Sequence, residues 1–197
     1  MATPRWEPLL RKWSEETLDR LDDAVLAQVP AEARSSRYLG GSGASDADIA
    51  ALEQRIGRAL PESYRSFLQT TNGMFWPMHG VTQLYAAAEV DRLDRRNKPV
   101  LDAWQEGSGS RPPVSDAEYS RYDPDQDPAH FRIEYLASSL EVGSMANEDL
   151  LLLNPQVINA EGEWEALFMA FWLPGAQRYP SFLQAIEALH AEFLEDN

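Results

Sequence analysis

An α+β fold, with a mostly antiparallel sheet and flanking helices, is predicted by three features of the sequence. The first half is punctuated by helix start and stop signals. The second half carries short apolar runs separated by turn residues. The last fifteen or so residues return to helical spacing. With 197 residues and 44% hydrophobic composition, including 6 Trp, 7 Tyr and 7 Phe, one domain with a substantial core is expected. No internal repeat is present.

The elements follow in order. Between Pro8 and Val29, apolar residues recur at Leu10, Trp13, Leu21 and Val25, a spacing that suits an amphipathic helix ended by Pro30. The stretch Ser35 to Ser45 is rich in Gly and Ser and reads as a connector, so residues 1–40 form an N-terminal helical extension. Ser45 with Asp48 resembles a capping box, after which Ile49, Leu52 and Ile56 line one face and Gly57 provides a stop. Pro61 opens a second helix whose apolar face is Tyr64, Phe67 and Leu68, closed by Asn72-Gly73.

Val81 to Tyr85 is predicted as a strand and Ala86 to Arg96 as a helix, while Val100 to Gln105 fits either. Gly107 to Pro128 is polar and rich in Pro, Gly, Ser and Asp, a loop-rich insertion near 107–129. Phe131, Ile133 and Tyr135 alternate with charged residues, which predicts a half-buried strand. Further strands are expected at Leu140 to Val142, at the leucine run 150–153, and from Trp164 to Trp172 after the turn Asn159 to Glu163. Ser181 and Gln184 then cap a final helix with Phe182, Ile186, Leu189 and Phe193 as its buried stripe.

Composition narrows the chemistry. Cysteine is absent, which removes disulfides, thiolate metal sites and cysteine nucleophiles. The net charge is −15, and residues 139–197 carry ten acidic side chains against Arg178 alone. Such a field repels nucleic acid and anionic membrane and steers cationic partners. The N-terminus lacks the apolar run of a leader and no segment is long enough to span a bilayer, so a cytoplasmic location is expected.

Catalytic constellations are sparse. His79, His130 and His190 lie in unrelated contexts, and the Gly-Ser stretches lack the strand–turn–helix setting of a nucleophile elbow. Asp123, Asp125, Asp127 and Glu134 mimic the acidic skeleton of a calcium loop, but Pro128 stands where the sharp turn requires Gly. No metal, cofactor or enzymatic activity is expected. Glu163 and Glu165 would share an exposed sheet face, beside core aromatics Trp164, Phe168, Phe171 and Trp172.

The ordered string Ile49-x-x-Leu52-Glu53-x-x-Ile56-Gly57, Leu60-Pro61-x-x-Tyr64-x-x-Phe67-Leu68, then Asn72-Gly73, resembles the N-terminal signature of the SUKH superfamily. Asp149 to Asn154, Gly162 to Ala166, and Trp172 to Ala176 followed by Arg178, Tyr179, Ser181 and Phe182 resemble the C-terminal half of a bacterial branch. The resemblance covers residues 45–194, with the domain itself drawn at 45–197, while residues 86–130 match nothing in the pattern. It implies a non-catalytic protein-binding domain. In bacteria the role is an immunity protein that neutralises a cognate toxin. The alternative is a regulatory or scaffolding module of cell-wall or signalling machinery without a toxin partner.

The expected contact residues are Glu148, Asp149, Glu161, Glu163 and Glu165, with Trp76 as an apolar anchor. The expected partner is a basic toxin domain, with no nucleic acid and no membrane involved.

Overall fold

A computed structural model describes residues 6–78, 81–107, 114–122, 126–145, 149–170 and 172–196. The protein is α+β: seven antiparallel strands form one sheet with helices on both faces. The strands are β1 (Met74–Met78), β2 (Val81–Leu84), β3 (Asp91–Arg92), β4 (Leu140–Met145), β5 (Leu150–Ile158), β6 (Trp164–Met169) and β7 (Gln177–Tyr179). Their spatial order is β1-β2-β4-β5-β6-β7, with the short β3 also pairing with β4.

The predicted N-terminal helix is divided. Helix α1 spans Trp6–Leu18, and α2 restarts at Asp23–Leu26, where the Asp22 carboxylate accepts from Val25 N at 2.8 Å. Helix α3 (Ala31–Ser36) runs into the start of the expected connector and ends on Arg37 at φ 52°. The chain then runs to Gly40, which bridges Met74.

The helix pair α4 (Asp46–Ile56) and α5 (Glu62–Thr70) follows the sequence signals closely. Ser45 and Asp48 form the reciprocal capping box, and Gly57 at φ 76° ends α4 in the left-handed region.

After β2 the chain departs from the elements its sequence predicts. Instead of one helix over 86–96, a turn leads to β3 and then to α6 (Leu93–Arg96), followed by α7 (Lys98–Glu106). The insertion contains α8 (Asp116–Tyr119), started by a second capping box of Ser115 and Glu118. The strand expected at 131–135 is a 3-10 helix over Ile133–Ser138. Its anchor is Leu136, three residues after Ile133, so burial there follows a helical period and not an alternating one. The final helix α9 covers Phe182–Asp196.

The leucine run shows how both faces of the sheet come to be covered. Leu151 and Leu153 join a core with α1, α4, α5 and α9, whereas Leu150 and Leu152 join a second core with Leu93, Leu101, Phe131 and Leu136. Strand β6 divides in the same way, Ala166 and Phe168 on the first side, Leu167 and Met169 on the second. Helix α1 belongs to the first core. Trp6 packs against Phe67 and Phe182, and its indole N–H donates to Ser63 O at 3.0 Å.

Both outer borders of the sheet are occupied. Along β1, Phe75 N donates to Leu39 O at 3.1 Å, and Pro77 has no N–H to offer. Along β7, the Gln126 side chain spans Arg178. It donates to Arg178 O and accepts from Arg178 N, both at 2.9 Å.

Candidate functional site

The region between the insertion and the β5–β6 hairpin holds the most elaborate polar network. Its centre is Glu165, which alternation along β6 places on the second face of the sheet. That face is covered, so the carboxylate is buried. Tyr119 Oη donates to it at 2.7 Å, Tyr122 Oη at 3.1 Å and Asn154 Nδ2 at 2.8 Å. Tyr119 and Asn154 meet Oε2, whereas Tyr122 meets Oε1, from which Arg178 Nη1 lies 3.4 Å. Burial first, and the neighbouring Glu165 charge second, push both phenols above their ordinary range, so they remain protonated donors.

Arg178 also ties the insertion down. Its guanidinium donates to Tyr119 O and to Arg121 O, and it lies over the rings of Tyr119 and Tyr122 at 4.3 and 5.3 Å. Above this floor opens a cleft of about 400 Å³, walled by Tyr119, Tyr122, Arg132, Tyr135 and Ile158. Arg132 pairs with Asp116 and donates to Tyr135 Oη, and Ile158 is 54% exposed at the rim. Tyr and Arg around an apolar contact are the side chains that dominate protein–protein hot spots.

The residues singled out in the sequence are dispersed. Glu148 lies outside the described residues, as do His79, Asp123, Asp125 and Phe171. Glu161 is exposed on the β5–β6 turn, as expected. The others are not on the surface. Asp149 is buried at the start of β5. Glu163 reaches the N-terminus of α5, accepting from Ser63 N at 2.9 Å and Ser63 Oγ at 2.5 Å. Pro61 offers that helix no side-chain cap, so a carboxylate from the distant β5–β6 turn supplies one. Glu165 is buried by the insertion. Trp76 packs inward against Trp13, with ring centroids 5.9 Å apart, because the hydrophobic segment around it is strand β1 and not a connector.

The cleft residues Tyr119, Tyr122, Arg132, Tyr135 and Ile158 were missed. Their signal was the concentration of Tyr and Arg between 119 and 135, in a segment whose polarity read as solvated loop. Trp172, expected in the core, is 54% exposed.

Among the described residues, no three His, Asp or Glu side chains gather in a way that could hold a metal ion. No described helix is long and apolar enough to cross a membrane.

A sheet covered by helices on both faces, with an open tyrosine- and arginine-walled cleft on one side, defines a compact α+β domain. The SMI1 / KNR4 family (SUKH-1) model matches residues 43–180, and the chain belongs to that family. A comparison with curated proteins returns no match.

Proposed function

We propose that this protein is a binding domain that neutralises a cognate bacterial toxin by direct contact. The cleft between the insertion and the β5–β6 hairpin is its recognition surface, and the exposed Glu161 turn lies on the hairpin beside it. The observation that carries the reading is the cleft itself. Ile158 stands exposed next to Tyr135 and Arg132, over a floor whose Glu165 carboxylate already accepts hydrogen bonds from Tyr119 and Asn154. A partner covering it would gain apolar and aromatic contact without having to satisfy a buried charge. Family membership and the net charge of −15 support a basic toxin domain as the partner. With four of the six sequence-derived residues buried, the acidic contribution comes from the overall field and from exposed positions such as Glu161.

Co-expression with the product of the adjacent gene tests this directly. Rescue of growth and co-purification are expected, and Ile158→Asp or Tyr135→Ala should abolish both while leaving the thermal melt unchanged. A harmless neighbour would remove the toxin reading and favour a regulatory or scaffolding role. A complex indifferent to both substitutions would place recognition elsewhere.

A further inference from the structure

Acidic residues outnumber basic ones 32 to 17, yet five arginines converge where α4 ends and β3 and α6 begin. Arg92 is paired with Asp94, Arg95 with Asp91 and Arg96 with Glu141. Arg55 and Arg58 pair with no carboxylate among the described residues. Arg55 donates to Ala87 O at 2.6 Å and Val90 O at 2.7 Å, and Arg58 donates to Pro155 O at 2.6 Å. Arg58 also lies over the Trp164 ring, 5.4 Å from its centroid.

Arg58 and Arg92 line one cleft of about 240 Å³, together with Ile56, Ser138, Gln156 and Trp164, and among the described residues no acidic one lines it. We propose that this cleft is a subsite for a single oxyanion, a carboxylate or a phosphate. The donors are held in place. Arg58 is clamped by the Pro155 carbonyl and the indole, which leaves its remaining N–H groups for a ligand. Arg92 engages Asp94 through Nε at 3.1 Å and Nη2 at 2.5 Å, which leaves Nη1. The Gln156 amide is fixed at the rim by donating to Ser138 Oγ at 3.1 Å.

A guanidinium held by packing loses little entropy when it accepts a bidentate anion, and charge assistance roughly doubles the strength of each bond. The carbonyl end of α4 would oppose an anion, but Gly57 N and Arg58 N both turn back onto Glu53 O, at 2.9 and 3.2 Å. The volume is below the range of about 300–1,000 Å³ typical of pockets that enclose drug-sized ligands, which suits one charged group with a few atoms attached.

The test is a titration of the full, isotope-labelled chain with inorganic phosphate and with acetate, each against chloride at equal ionic strength. It follows the Arg58 Nε–H and Trp164 indole resonances. Saturable shifts of both signals with at least one oxyanion, and none with chloride, are expected. Arg58→Ala should weaken binding about tenfold or more, the loss of one charge-assisted contact. Arg58→Lys, which keeps the charge but not the planar fork, should fall between. If Arg58→Ala does not fold, Arg92→Gln serves, with a smaller loss expected. Saturation by phosphate alone assigns the site to phosphate esters, and by acetate alone to carboxylates. Shifts that do not saturate, that chloride reproduces, or that persist unchanged in every variant overturn the proposal.

Discussion

Replacing Arg178 by Met asks whether the buried network, and not apolar packing alone, holds the insertion on the sheet. The Arg178 and Glu165 side chains are 1% and 0% exposed. At their separation of 3.4 Å, two unit charges attract by about 5 kcal/mol at an effective dielectric of about 20. Desolvation offsets much of that gain, so the intact pair contributes little net stability. Removing one partner is a different matter, because the buried Glu165 carboxyl is then left with only neutral donors. The usual cost is about 3–5 kcal/mol.

Arg178→Met also takes from Tyr119 O and Arg121 O the donor that Arg178 supplies, which puts the loss toward the upper end. In a chain of this length each kcal/mol lowers the melting temperature by about 2–4 °C, so a fall of about 6–20 °C is expected. Urea unfolding followed by tryptophan fluorescence gives the free energy, and a thermal melt gives the shift. Adding Glu165→Gln removes the stranded charge, so the double variant should be less destabilised than the sum of the singles by about 1.5 kcal/mol or more. A loss below about 1 kcal/mol for Arg178→Met, or strictly additive effects, would refute the reasoning.

Three further outcomes follow from the geometry. Glu163→Ala removes the only side-chain cap described at the start of α5, and should cost about 1–2 kcal/mol in urea unfolding. Gly175→Ala would drive a methyl group into Pro128 O and the Phe131 ring, costing about 1–3 kcal/mol in the same assay. The last concerns pH. Burial holds His190 below its ordinary value of 6.5, outweighing the opposing hydrogen bond to the Glu16 carboxylate, while Lys12 and Arg20 add to the depression. The unfolded chain therefore binds the proton more readily, so stability is complete above pH 6.5 and declines as pH falls below it. Unfolding curves between pH 7.5 and 5.5 should show this decline, and His190→Gln should flatten it (about two pH units span the transition).

What the sequence disclosed depended on whether the deciding interaction was local. The ends of α4 were legible because Ser45, Asp48 and Gly57 act within one turn of their own backbone. Glu165 was assigned the right side of its strand, since alternation is a backbone property. Whether that side meets water depends on residues 114–122 and 126–136, which lie some thirty to fifty positions away and carry no periodic signal. The same gap explains Glu163, whose partner Ser63 is 100 residues distant. The strand expected at 131–135 failed for a different reason. Tyr135 imitated an inward-facing strand residue, but it is half-buried against Arg132, and Leu136 is the residue that enters the core. The cleft was hidden because its walls come from two segments that meet only in the folded chain.

The occupied borders of the sheet bear on how a partner can be recognised at all. Many proteins capture one another by lending a strand, a mode that reads backbone and tolerates nearly any sequence. Here Leu39 and Pro77 close one border and the Gln126 amide closes the other. The molecule is thus insulated both from indiscriminate stacking with its own copies and from partners that offer only an extended chain. Contact is left to side chains on faces, turns and clefts, where a single substitution can redirect affinity. On the proposed function, in which one toxin must be told from near relatives, closing the permissive route would make discrimination the default.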